Sequence, residues 1–257
     1  MRKAISWLLT PLHWAFFLTV LLVFHVAQVI ARPFGYNAHK RVVDFLNLGV
    51  LASLGVMGTR ITIDRAHEPP PDVPLIIVSN HQSMFDVPLL GWIFRKHHPK
   101  YVAKIELARG RPSISYNLRH GGSVLIDRSD PKGSLREIQK FGKSVEENRY
   151  AACIFPEGTR ARDGVMKEFN VAGLMALART VPSAAIVPVA IDGSWELMRH
   201  GMRPVPFGVR VKCTVLAPIA QGEFPIKELS GAVEKRIRAV VDGGREAAPA
   251  REVAVSD

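Results

Sequence analysis

Between Lys3 and Arg32 the chain carries no formally charged side chain, and this stretch limits what the chain can become more than any other. It is interrupted mainly by Pro11, His13, His25 and Gln28. As a helix, residues 12–30 would extend roughly 28 Å, close to the hydrocarbon thickness of a bilayer, about 30 Å. A cleaved signal peptide does not fit, because the apolar core is too long and no clear small-x-small site precedes Arg32. A second apolar segment, residues 42–58, contains Asp44, Asn47, Gly49, Gly55 and Gly58, so it reads as an interfacial or re-entrant helix rather than a good span. Arg2 and Lys3 precede the pair of segments, Arg32, Lys40 and Arg41 lie between them, and Arg60 and Arg65 follow. Positive charge on every side selects no orientation. The expectation is a hydrophobic helical hairpin over residues 1–60 that anchors the rest of the chain at a membrane surface, with one or two true spans as the rival reading.

Beyond this hairpin, residues 67–73, with Pro69-Pro70-Pro71, read as a linker. The pattern then alternates. Strands are expected at Leu75–Ser79 and at residues 101–104, 123–126, 151–155, 185–191 and 209–216. Helical spacing appears in residues 134–148 through Leu135, Ile138 and Val145, and near the C-terminus through Ile226, Leu229, Val233, Ile237 and Val240. Val171–Thr180 is a third helix candidate. Such alternation predicts an α/β fold, a central mixed sheet flanked by helices, over residues 61–245. Residues 246–257 have no apolar period and are expected to form a disordered tail.

The chain of 257 residues holds 34 basic and 23 acidic side chains, a formal charge of +11, so its partners are expected to be polyanions or anionic surfaces. With four Tyr, four Trp and no basic stretch interleaved with aromatics, nucleic acid is not expected among them. The two cysteines, Cys153 and Cys213, make neither a metal spacing nor a disulfide framework, which suits a reducing compartment.

The stretch Val78-Ser79-Asn80-His81-Gln82-Ser83-Met84-Phe85-Asp86 sets a histidine five residues before an aspartate. On a helix five residues turn about 140° past a full revolution, and on a strand an odd spacing sends the two side chains to opposite faces. The pair meets only if the chain bends. A buried strand ending at Ser79, a turn over Asn80-His81-Gln82-Ser83 and a helix starting near Phe85 supply that bend. A carboxylate on one ring nitrogen fixes the tautomer and leaves the other nitrogen as a base for a hydroxyl proton. Alone, such a pair is as compatible with a helix cap and a satisfied histidine as with catalysis.

Other segments deliver cations to strand ends. Ala151-Ala152-Cys153-Ile154-Phe155-Pro156-Glu157-Gly158-Thr159-Arg160 is an apolar strand breaking into a loop, where Gly158 lets amides approach an anion and Arg160 offers a planar fork for phosphate. Glu157 in that loop either meets an acceptor hydroxyl or holds Arg160. Gly122-Ser123-Val124-Leu125-Ile126-Asp127-Arg128 and Tyr101-Val102-Ala103-Lys104 bring Arg128 and Lys104 to two more strand ends, where ligands of α/β sheets gather. Taken singly, each cation is as well explained by a solvated surface.

Together these segments resemble the glycerolipid acyltransferase family. Asn80-His81-Gln82-Ser83-Met84-Phe85-Asp86 matches its NHxxxxD block and Phe155-Pro156-Glu157-Gly158-Thr159-Arg160 its FPEGTR block. Gly122 to Arg128 lies in order between them, and Ile186-Val187-Pro188-Val189 follows as the fourth block. The nearest branch is that of 1-acyl-sn-glycerol-3-phosphate acyltransferases, which usually carry an N-terminal hydrophobic helical anchor. The resemblance covers roughly residues 75–191, and four ordered blocks are more specific than any one. It implies His81 as general base and Asp86 as its orienting partner. Lys104, Arg128, Glu157, Gly158, Thr159 and Arg160 would bind the phosphate and glycerol of a lysophospholipid acceptor, and Pro188 would shape the acyl-donor region.

The reaction so implied moves an acyl chain from acyl-CoA or acyl carrier protein to the free sn-2 hydroxyl of 1-acylglycerol-3-phosphate, giving phosphatidic acid. The thioester is a co-substrate, and no cofactor or metal is expected, because a thioester is already activated. Amides at the start of the helix after His81 are candidate oxyanion donors. Cytosolic supply of either donor implies the cytoplasmic face of the membrane, the inner membrane in a bacterium. Phe169-Asn170-Val171-Ala172-Gly173 stands where many members read F-K-x-G, and the segment from Arg109 to Asn117 lacks their commoner P-x-x-G spacing. Both departures bear on the acceptor's headgroup, so another lysolipid, such as a lyso-ornithine lipid or a lysophospholipid, is the alternative acceptor. A non-catalytic membrane-anchored phospholipid-binding protein is the alternative from another class. A hydrolase is disfavoured by the lack of a G-x-S-x-G block.

Overall fold

A computed structural model of the protein describes residues 1–65 and 67–246. Residues 247–257, most of the expected tail, lie outside the described residues. Helices α1 (Arg2–Ala31) and α2 (Tyr36–Ser53) come first, then strands β1 (Arg60–Asp64) and β2 (Leu75–Ser79), helix α3 (Asp86–Ile93), β3 (Pro99–Lys104) and α4 (Ile114–His120). They are followed by β4 (Val124–Ile126), α5 (Pro131–Asn148), β5 (Ala151–Ile154), α6 (Val171–Thr180), β6 (Ala185–Asp192), β7 (Arg210–Val215) and α7 (Ile226–Glu246). Among the described residues the strands form one seven-stranded sheet in the order β1-β7-β6-β2-β5-β3-β4. Every pair is parallel except β6 with β7, so the sheet is mixed, as the alternation predicts.

Both faces of the sheet are covered, which explains why β2 and β5 are buried at every position rather than at alternate ones. Leu75 and Ile77 of β2 point into a cluster with Phe17, Val50, Leu54 and Leu89 from α1, α2, the turn after α2, and α3. Ile76 and Val78 point the other way, against Ile138, Leu177, Val233 and Ile237 from α5, α6 and α7. Cys153 and Cys213 are buried in the first cluster, and burial pushes both thiols up, so neither is available as a nucleophile.

Two elements escape the periodicity. Strand β1 lies at an edge and is largely exposed, so Arg60-Ile61-Thr62-Ile63-Asp64 offers little apolar signal. Because it pairs with β7, the sheet begins before Pro69-Pro70-Pro71, and that stretch is a loop inside the sheet domain rather than a linker into it. Helix α4 is only two turns long.

The N-terminal hairpin is part of the same packing. Helix α1, with the turn Arg32–Phe34 that follows it, is the one described helix long and apolar enough to cross a membrane. Yet it is held against the rest of the chain from end to end. Ser6 Oγ accepts from Phe207 N at 2.9 Å and Thr10 Oγ1 from Val205 N at 3.0 Å. His13 Nδ1 meets Ser53 O at 2.9 Å, and near the far end Gln28 bonds both Ser113 O and its hydroxyl. The opposite face of α1, including Leu8, Leu12, Leu22, Val26 and Ile30, is exposed, as are Phe34, Phe45 and Leu48.

Candidate active site

The parallel strands β2, β5, β3 and β4 are neighbours, so their carboxyl ends open on one side, and each end delivers a side chain that the sequence singles out. After β2 the chain turns at Asn80, whose amide clamps β6: Nδ2 donates to Ile191 O at 2.7 Å and Oδ1 accepts from Ile191 N at 2.8 Å. The next residue, His81, is thereby fixed beside the start of α3. Its Nδ1 lies 2.9 Å from Asp86 Oδ2. A carboxylate can only accept, so Nδ1 carries the proton and the neutral ring leaves Nε2 as a base. The imidazole stacks on Phe155 at 4.2 Å between centroids, which sets its plane.

Asp86 is fully buried, and both of its oxygens are occupied. Oδ2 also accepts from Gln82 N at 2.7 Å and Ser83 N at 2.8 Å, while Oδ1 accepts from Ser83 Oγ at 3.1 Å and Ser194 Oγ at 2.6 Å. The bend is therefore closed by backbone donors that wrap round the carboxylate it positions. These bonds also correct the oxyanion expectation. Gln82 N and Ser83 N are spent on Asp86, Met84 N points to Met198 Sδ at 3.4 Å, and Phe85 N bonds Ser83 Oγ at 3.1 Å. The first two amides after His81 hold the carboxylate and the next two are taken by Met198 and Ser83, so none is left for a substrate oxygen.

Ser194 has no signal in the sequence, since it lies 108 residues from Asp86. It is placed by Gly193, whose backbone is left-handed (φ +79°) and where an added Cβ would sit 2.2 Å from the carbonyl of Arg210. Only glycine fits there. Changing Ser194 to alanine removes a charge-assisted bond from a buried carboxylate and is expected to cost about 1.5–3 kcal/mol of stability, read from urea unfolding.

A cavity of about 1740 Å³ opens beside His81. Its mouth is cationic: Lys104, Arg128 and Arg160 all line it, as do Gly158 and Thr159. Deeper, Phe17, Leu21, Leu46, Val50, Met84 and Val87 give it an apolar wall, to which the N-terminal hairpin contributes. Burial lowers the Arg160 guanidinium from its ordinary pKa and the charge of Arg162 adds to this, while Asp86 is near enough to oppose it. Burial likewise lowers Arg128, opposed by Glu106. Arg111, Arg162 and Lys167 also line the mouth, and no motif marks them. Arg160 Nη1 reaches Met198 Sδ at 3.4 Å, and Lys167 Nζ donates to Thr159 Oγ1 at 2.8 Å.

Two of the expected binding residues are not among those lining this cavity. Glu157 does not line the cavity. Its Oε1 accepts from His81 N at 2.7 Å and its Oε2 from Lys167 N at 2.8 Å, so the carboxylate staples the His81 turn to the loop after β5. Burial raises its pKa from the ordinary value, against the pull of those amides. Pro188 is buried in the middle of β6 opposite Val78 of β2 and is not on the cavity wall. At Asn170, where the family pattern has lysine, the side chain caps α6 by accepting from Ala172 N at 3.0 Å.

Comparison with known proteins gives the chain's relatives. The chain is 28% identical over 190 residues to a 1-acyl-sn-glycerol-3-phosphate acyltransferase of Chlamydomonas reinhardtii, a match covering 73% of this chain and 55% of that protein. It is 29% identical over 218 residues to a protein of the same name from Pseudomonas aeruginosa, covering 83% and 80%. The chain spans about half the length of the algal relative and of a chloroplast one from Arabidopsis thaliana. The fold matches the crystal structure of the 1-acyl-sn-glycerophosphate (LPA) acyltransferase PlsC from Thermotoga maritima with a TM-score of 0.78, at 23% identity, over 98% of this chain and all of that one. The family model described as Acyltransferase matches residues 60–192, which take in β1, the His81 turn, all three cationic strand ends and β6. By that match over half its length, the chain belongs to the Acyltransferase family.

Proposed function

We propose that the protein is a membrane-bound O-acyltransferase that moves an acyl chain from an acyl thioester to the sn-2 hydroxyl of 1-acylglycerol-3-phosphate. The observation that carries this reading is His81, with Asp86 on Nδ1 and the other ring nitrogen left as a base, at the meeting of a cationic mouth and an apolar wall. The names of the relatives support the same acceptor.

His81 Nε2 takes the proton of the lysolipid hydroxyl as its oxygen attacks the thioester carbonyl carbon. The carbon–sulfur bond then breaks, the ester is left on the acceptor, and the departing thiolate takes the proton back from the imidazolium. General-base help of this kind is typically worth a factor of about 10² to 10⁴. Lys104, Arg128 and Arg160 supply positive charge for the acceptor's phosphate, so that its hydroxyl stays near the base instead of meeting it by chance. The apolar wall suits an acyl chain.

The exposed apolar face of α1 and α2 supports an anchor that lies in the membrane interface rather than across it, because the other face of α1 is bonded to the protein from Ser6 to Gln28. Cytosolic acyl-CoA or acyl carrier protein then meets the site on the cytoplasmic side.

Purified protein given radiolabelled acyl donor, as coenzyme A or carrier-protein thioester, and a panel of acceptors tests this. Phosphatidic acid is the expected product. Acylation only of a phosphate-free lysolipid, the reading that Asn170 keeps open, would defeat it.

A further inference from the structure

A second cavity, of about 540 Å³, lies at the turn between α1 and α2. Arg32, Gly35, Tyr36, His39, Tyr116 and His120 line it, and no carboxylate does. Helix α2 starts there with Gly35 as its cap residue. It has no side-chain cap and no acidic residue in its first turn, so the positive end of an 18-residue helix faces the cavity beside Arg32. A helix end alone would not make a site. His39, however, is only 3% exposed, and its Nε2 has no hydrogen-bond partner.

Tyr36 and His39 also line the larger cavity beside His81, on whose wall stands Lys100, 5% exposed, its ammonium 4.6 Å from the ring centre of Tyr36 and 5.0 Å from that of Tyr150, with no ion pair among the described residues. The nearby carboxylate of Asp44 is already bonded to Lys40 at 2.6 Å. Burial, and then the charges of Arg32, Lys100 and His120, lower His39 to about 4, which keeps it neutral at pH 7 and marks the surroundings as electropositive. Arg32 and the unpaired amides of a helix start meet there with no carboxylate among the lining residues, which is the arrangement of an anion receptor.

We propose that this pocket binds a phosphate group, carried by a membrane phospholipid headgroup or free in solution, at Arg32 and the start of α2, sharing the Tyr36 and His39 wall with the larger cavity but not its catalytic cluster at His81. The headgroup source rests on the interfacial anchor proposed above. Val29 lines the cavity and exposed Ile30 and Phe34 flank it, so a hairpin seated in the interface puts the pocket at headgroup depth.

Sedimentation of the full chain with phosphatidylcholine vesicles, with and without phosphatidylglycerol, tests the lipid source. Phosphatidylglycerol is neither the proposed acceptor nor the product, so the catalytic clamp does not confound the result. Arg32→Gln is expected to reduce the gain in binding from phosphatidylglycerol by about five-fold, the worth of one basic residue at an anionic surface. His39→Leu removes no charge at pH 7, so a general field effect would leave it like the parent, whereas the pocket predicts a loss. His120→Gln serves the same end at an exposed position where folding is not at stake.

Inorganic phosphate added to the protein in neutral micelles tests the free source, through a saturable shift of the His120 imidazole resonance that is absent in His120→Gln. A loss in the first arm supports the headgroup, and a shift in the second supports free phosphate. If His39→Leu and His120→Gln bind like the parent and the resonance does not move, the site is overturned. Failure of the parent chain to bind any vesicle would sink the interfacial anchor instead, while the phosphate titration would still report on the pocket.

Discussion

Changing His81 to alanine is expected to lower kcat by about 10² to 10⁴ while leaving lysophosphatidate binding within a few-fold of the parent. The direction follows from what the ring touches. Its bond to Asp86 and its stacking on Phe155 position it, but the carboxylate is also held by Gln82, Ser83 and Ser194, and the turn is held by Asn80 and Glu157. Alanine therefore removes the base and leaves its frame. The cations that would hold the acceptor come from other strand ends and remain in place. Single-turnover acyl transfer together with equilibrium binding separates the two quantities. A variant that keeps its rate would rule out general-base catalysis by His81 and return the chain to the class of lipid-binding proteins.

Changing Asp86 to asparagine is expected to be as damaging to kcat and, unlike the first change, to destabilise the fold. The carboxylate accepts from two backbone amides, two hydroxyls and the imidazole, and all of these are donors to it. An asparagine amide presents one acceptor and one donor group. If its NH₂ replaces Oδ2, it meets Gln82 N, Ser83 N and the Nδ1 proton of His81. If it replaces Oδ1, the two hydroxyls must reverse. Each buried donor left without an acceptor costs about 1–3 kcal/mol. The imidazole's other option is to move its proton to Nε2, which removes the base. An amide in place of the carboxylate behind a catalytic imidazole costs about 10⁴ in kcat where the geometry is otherwise kept. Thermal unfolding and kcat measured on the same preparation should both fall. A lower melting temperature with an unchanged rate would make Asp86 a structural residue only.

The His81–Asp86 pair was legible because its spacing fits neither regular backbone and the residues between them are turn formers, so that only a bend makes sense of it. The cations at Lys104, Arg128 and Arg160 were legible because each closes an apolar run. Glu157 shows the limit of that reading. Its place beside Arg160 in the loop points to the acceptor, but its partners are backbone amides of His81 and Lys167, which no pattern of side chains reveals. Ser194 is harder still, since its role depends on β6 lying next to β2 and on a left-handed glycine before it. Arg111 and Lys167 sit in loops without periodicity, and only the closing of the sheet's carboxyl edge brings them to the mouth. In the fold, buried strands announce themselves by continuous apolar runs, whereas β1, exposed at an edge, is defined by its pairing with β7 alone.

The end-to-end bonding of α1 has a practical side for anyone wishing to handle the enzyme without detergent. Excising the hydrophobic leader would strip Phe17, Leu21, Leu46 and Val50 from the cavity wall and unroof the sheet beneath. Water-soluble versions are better sought by repainting Leu8, Leu12, Leu22, Val26 and Ile30 with polar side chains, one surface stripe at a time, while every residue underneath stays as it is.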